Sequence, residues 1–151
     1  MSTPHAGAER KSAWPAVVPM PTYQDVGKAS DWLCQAFGFR EQQRFSDAGG
    51  RVMTTILEVP GGGAVMPGWT GPTYQNPAQH RQTCKAAARW QEVPYIVDSV
   101  LVTVEDVDRH CAQARAAGAV VLSEPEDGGH GRRYRVEDLE GHRWMFSEAA
   151  G

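Results

Sequence analysis

The sequence has no run of about 18 apolar residues that could form a membrane-crossing helix. Its first stretch, MSTPHAGAERKSAWP, lacks the apolar centre of a secretory signal. The cytoplasm is the expected compartment, and no membrane partner is expected. Cysteine is scarce: Cys34, Cys84 and Cys111 are odd in number and widely spaced, which excludes a disulfide framework and a zinc knuckle. Cys34 and Cys111 read as small buried residues. No excess of positive charge exists, since Lys+Arg 15 against Asp+Glu 18 gives a formal net charge of -3, so nothing here would hold nucleic acid. A phosphate-binding loop is missing too, because the triplet Gly61 to Gly63 lies between two strand-like segments and reads as a turn. No Ser/His/Asp order with recognisable context occurs. What is present is an ordinary 151-residue globular chain, 41% apolar, with five tryptophans.

Residues 1–15 are polar and small and read as a disordered tail. After them AVVPM reads as a short strand whose Pro19 marks it as an edge or irregular. In DVGKASDWLCQAFGF, residues Val26, Ala29, Trp32, Leu33 and Phe37 fall at helical spacing, with Asp25 as N-cap and Gly38 as the closing glycine. FREQQRF, RVMTTILEV and GAVMPGW follow as strands, parted by the turn signals SDAGG and PGGG. Residues 70–96 break the pattern and read as a connector with room for a short helix. The order then returns. SVLVTV is a strand, Val107, Cys111, Ala114 and Ala117 make a helical stripe closed by Gly118, and VVLSEP, RRYRVED and HRWMFSE are strands.

Three landmarks of different kind keep nearly one offset. Asp25 and Asp106 open the helices and lie 81 residues apart; Gly38 and Gly118 close them, 80 apart; Gly62 and Gly141 precede the last strands, 79 apart. The chain therefore reads as an α+β fold of two βαβββ units, 16–69 and 97–148, forming a curved mixed sheet around a groove. Each unit is too small to be stable alone, so 16–148 is expected to be one domain. Because side chains alternate along a strand, one face of each sheet covers its helix and the other lines the groove.

The segments YQDVGKASDWLCQAFGF, VTVEDVDRHCAQARAAGAVV and HGRRYRVEDLEGHRWMF resemble the vicinal oxygen chelate superfamily of glyoxalases, extradiol dioxygenases and bleomycin-resistance proteins. The likeness is greatest to its glyoxalase-like or PhnB-like branch and covers roughly residues 16–148. It implies the glyoxalase/bleomycin resistance fold and a homodimer, with the units paired within one chain or swapped between two. Enzymes of the family hold a divalent metal with one ligand from the first and the last strand of each unit. The matching positions here are Val18, Met66, Ser99 and Met145. None is a His, Glu or Gln, and these residue types do not hold a hard or borderline cation. The expectation is a groove without metal or other cofactor.

Strand alternation, applied to the units that the resemblance implies, places Val18, Met20, Thr22, Met66, Ser99, Leu101, Thr103, Arg143, Met145 and Ser147 on the groove side. That surface is mainly apolar, with a few hydroxyls and one cation, and suits a flat or aromatic organic molecule. His142, Trp144 and Phe146 fall on the helix side, His142 as a hydrogen-bonded structural residue. Asp138, Glu140 and Gly141 read as turn residues. Arg132, Arg133 and Arg135 are expected to pair locally with Glu137 and Asp138, or to hold an anionic group of a ligand. Trp69 and Trp90 have no core duty legible in the sequence and stack on a ligand ring, anchor a loop or meet a second subunit.

These expectations converge on a metal-free protein that binds a small, largely hydrophobic or aromatic ligand, with sequestration of an antibiotic or toxin as the concrete form. The alternatives are a metal-dependent lyase, isomerase or dioxygenase of the glyoxalase-like branch, and an assembly protein with a vestigial groove.

Overall fold

Asp25 and Asp106 start the two long helices by the same device. Each carboxylate accepts the backbone N–H three residues on, from Lys28 and Arg109, at 3.0 Å. The structure, a computed structural model, describes residues 15–94, 98–129 and 131–149. The tail expected up to residue 15 lies, but for Pro15, outside them. The elements run α1 (Val26–Phe37), β1 (Arg40–Ser46), β2 (Val52–Glu58), β3 (Ala64–Val65), α2 (Pro77–Thr83), α3 (Lys85–Trp90), β4 (Ser99–Val104), α4 (Val107–Ala116), β5 (Val120–Gly128), β6 (Gly131–Glu137) and β7 (Arg143–Glu148). The connector thus holds two short helices where one was expected. Cys84, extended at φ -138, parts them.

The second unit forms a sheet in the order β4-β7-β6-β5, with β4 parallel to β7 and the other pairs antiparallel. In the first unit β1, β2 and β3 pair in that order. The expected first strand forms no regular ladder, because Pro19 and Pro21 each lack an N–H. Their carbonyls still accept from Met66 at 2.9 Å and Gly68 at 3.0 Å, and Tyr23 donates to Gly68 at 2.9 Å. This segment therefore lies parallel to the last strand of its unit, as β4 lies beside β7.

Both helices pack into one apolar cluster. Phe37, at the end of α1, meets Trp144 at 5.4 Å and Phe146 at 4.7 Å between ring centroids, and His110 of α4 stands 4.1 Å from Phe146. Trp144 and Phe146 are buried, as alternation required. Burying one such side chain is worth about 3 kcal/mol, and these contacts tie the units together. Cys111 is buried, but Cys34 is only half-buried, at the flank of α1.

Candidate functional site

The ladders of the second sheet arrange the face turned away from α4 in transverse rows. Ser99 stands beside Arg143 and Glu137; Leu101 beside Met145 and Arg135; Thr103 beside Ser147 and Arg133. Leu101 is 59% exposed although it is a large apolar side chain, while Val102 beside it points inward and is buried. In the first unit Met20 is 68% exposed. Met66 and Thr22 are half-buried and serve chiefly through their backbones.

The expectation of one cation on this face is corrected, because β6 contributes Arg133 and Arg135 as well. The local pairing expected of the arginines differs too. Arg132 binds Asp108 bidentately, at 2.8 and 2.9 Å, and reaches Asp127. Glu137 is instead held by Arg81 of α2 and by Arg143. Arg143, 3% exposed, also donates to the carbonyls of Gln91 and Val93, so it anchors the connector and does not open onto the groove. A side chain's face was legible in the sequence, but the segment folded over that face was not.

Trp69 packs half-buried against the core with the Arg51 guanidinium 4.3 Å over its ring. Trp90, at the end of α3, is 55% exposed.

The turn Asp138 to His142 does more than reverse the chain. Asp138 is buried and accepts from the Tyr23 hydroxyl at 2.6 Å, from the Trp144 indole at 3.0 Å, and from the Glu140 and His142 amides. Burial raises its pKa above the ordinary carboxylate value, and burial followed by the Asp138 charge raises that of Tyr23. Glu140 accepts the Gln24 and Asp25 amides at 2.7 and 3.0 Å, at the start of α1, where a carboxylate is favoured. His142 contacts the Thr22 carbonyl at 2.6 Å. The acids that resemble catalytic groups are therefore spent on joining the second unit to the first.

A cavity opens beside the rows. It is a cleft of about 990 Å³ in the seam between the units, bounded by the turn from Val59 to Gly63, by β4, and by Phe37 and His110 below. It meets the exposed face along β4, since Leu101 and Thr103 belong to both. His110 closes its floor. Its Nε2 lies 3.0 Å from the Phe37 carbonyl, which can only accept, so Nε2 carries the proton and Nδ1 accepts from the Tyr134 hydroxyl at 2.6 Å. Burial lowers its pKa below 6.5 and keeps the ring neutral. Both nitrogens are engaged, which makes it a structural group.

The strands that would carry metal ligands present Val18, Met20 and Thr22 beside Met66, and Ser99, Leu101 and Thr103 beside Met145. This donor set does not fit a divalent metal, even with the alignment shifted by two residues. Among the described residues one group of acids is close enough to share an ion: Asp106, Asp108 and Glu148, at the start of α4. There Asp106 caps the helix, Asp108 pairs with Arg132 and Glu148 accepts the Val107 amide.

Comparison with known proteins agrees with this fold. Residues 20–146 match the family model described as the Glyoxalase/Bleomycin resistance protein/Dioxygenase superfamily. The chain is similar to the crystal structure of TioX from Micromonospora sp. ML1, with 33% identity, 90% of this chain and 99% of that one covered, and a TM-score of 0.64. TnmS3, an antibiotic binding protein from Streptomyces sp. CB03234, shares the fold at 17% identity, covering 90% and 98%, with a TM-score of 0.57. So does the fosfomycin resistance protein FosX from Listeria monocytogenes, at 12% identity, 92% and 96% coverage and a TM-score of 0.60. No protein with a curated description matches the chain.

Proposed function

Because the chain belongs to the glyoxalase/bleomycin resistance protein/dioxygenase superfamily, we propose that it binds a small, largely hydrophobic or aromatic molecule without a metal, and acts by sequestration. The observation that carries this reading is the central row of the exposed face. At the family's ligand position on β7 stands Met145, with the apolar Leu101 beside it, and the position on β4 is Ser99. An apolar surface bordered by hydroxyls, running into a cleft of about 990 Å³, suits a drug-sized organic molecule. That one relative of the same fold is an antibiotic binding protein supports an antibiotic or toxin as the ligand. Met20 and Leu101, exposed on the two units, favour closure of the groove by a second copy in a homodimer.

The test is titration of the metal-stripped protein with a panel of polycyclic aromatic antibiotics, read by quenching of tryptophan fluorescence and by the rise in melting temperature. A member binding at micromolar Kd or better with no metal added is the expected result. Stoichiometric zinc, nickel, iron or manganese in the protein as purified, needed for that binding, would overturn the metal-free reading. Silence across the panel would overturn sequestration.

A further inference from the structure

The charges along the cleft narrow the class of ligand, an inference that rests on the binding reading above. β4 is the edge strand of its sheet, paired with β7 on one side only. Its free edge therefore forms a wall of the cleft, and successive residues from Val100 to Glu105 line it. Side chains of both strand faces meet the cavity there, Leu101 and Thr103 from one and Val102 and Val104 from the other.

Most of the walls are apolar, with Phe37 and Phe39 on one side and Val65 of the first unit on another. Charge enters at one end. Glu105 and Glu148 both line the cleft, and they lie at the same end of β4, because Glu148 is the ladder partner of Val104, the residue before Glu105. Among the described residues no lysine or arginine lines it. The His110 ring in the floor is neutral, with both nitrogens engaged.

Neither acid is neutralised by a neighbour. Among the described residues no basic nitrogen comes within 4.0 Å of either carboxylate, and Arg109, on the first turn of α4, pairs with neither. Glu148 accepts the Val107 amide at 2.8 Å, with Asp106 and Asp108 within 4.8 Å of it. Arg132 offsets Asp108, and the start of α4 supplies only about half a unit of positive charge. Negative charge at the end of a cleft with apolar walls is focused into it.

We propose that the cleft takes an organic cation, whose largely apolar body lies between β4 and the turn from Val59 to Gly63 while its ammonium group sits at the end marked by Glu105 and Glu148. Charge-assisted contacts of that kind separate an amine from an alcohol of the same shape.

The experiment compares 1-naphthylmethylamine, which is protonated at pH 7, with the neutral 1-naphthylmethanol and the anionic 1-naphthoate, each titrated into the full chain and read by calorimetry. The amine is expected to bind about tenfold tighter than the alcohol, and the naphthoate more weakly than either. The preference should shrink in Glu105→Gln and in Glu148→Gln, where glutamine still accepts the Val107 amide, and disappear when both are changed. It should also shrink as salt rises from about 0.05 to about 0.5 M. Glu124→Gln, on β5 and paired with Arg115, removes the same charge away from the cleft and should leave the preference unchanged. Melting temperatures of the variants serve as the folding check. Equal binding of amine and alcohol, or a preference that survives the double substitution, overturns the cation assignment and leaves small-molecule binding intact. Absence of binding by all three overturns both.

Discussion

The two units end in the same turn, built from different side chains. In the first, Val59 donates to the Gly63 carbonyl and Gly62 to the Val59 carbonyl, both at 3.0 Å; in the second, Asp138 donates to His142 at 2.9 Å and Gly141 to Asp138 at 3.0 Å. Each turn has five residues and a left-handed glycine in fourth place, Gly62 at φ +126 and Gly141 at φ +92. The backbone repeats; the chemistry does not. The second turn carries two acids that bind Tyr23, Gln24 and Asp25 of the first unit. The first turn carries Pro60 and three glycines, stays exposed and borders the cleft. One copy joins the units at the seam and the other leaves the seam open.

Removing the joint gives the largest effect. Asp138→Ala leaves the Tyr23 hydroxyl and Trp144 indole without their buried acceptor, and should lower stability by about 4 kcal/mol, seen as a lower urea midpoint with little change in slope. Pro60→Ala, in the other turn, should change the midpoint by less than about 0.5 kcal/mol. If the two substitutions proved equal, the contrast between the turns would be lost.

The paired glycines sharpen it next. A Cβ on Gly141 would stand 2.6 Å from the Ala78 backbone nitrogen, so Gly141→Ala adds a clash with α2 to its backbone strain and should cost about 3 kcal/mol. Gly62 has open space around it, and Gly62→Ala should cost only about 1 kcal/mol, from φ alone. Equal losses by thermal unfolding would mean that the second turn is not packed against the connector.

The smallest expected effect lies at the floor of the open side. Because burial holds the His110 pKa below its ordinary 6.5, the folded state binds fewer protons than the unfolded chain in the window beneath that value. Stability from this group is present above pH 6.5 and is lost as pH falls through the window, by at most about 1.4 kcal/mol per pH unit. His110→Gln should flatten that part of the profile in urea titrations between pH 5 and 7. An unchanged slope would show that the ring titrates normally.

Sequence reading went furthest where a local rule sufficed. The caps at Asp25 and Asp106 need one side chain and one turn of helix, and the offset near 80 is a count. The burial of Trp144 and Phe146, against the exposed side of the sheet, follows from alternation along one strand. The reading failed wherever a distant segment arrives. Arg143 was placed on the correct face of its strand, yet Gln91 and Val93 lie over it, fifty residues away in sequence. Glu137 was given its near neighbours as partners and takes Arg81. The sequence left Arg132, Arg133 and Arg135 open between local pairing and an anionic group of a ligand, and only the ladder of β6 beside β7 sets Arg133 and Arg135 on one face and Arg132 on the other.

The sequence by itself determined the helix starts and the inward face of β7, because each depends on residues within a few positions of one another, and the repeated unit, because its landmarks keep one offset. The tertiary structure alone decided which turn joins the units, which segment covers Arg143, and where the cleft opens. These depend on contacts between segments that are distant in sequence, such as Tyr23 with Asp138, whose geometry no local period encodes.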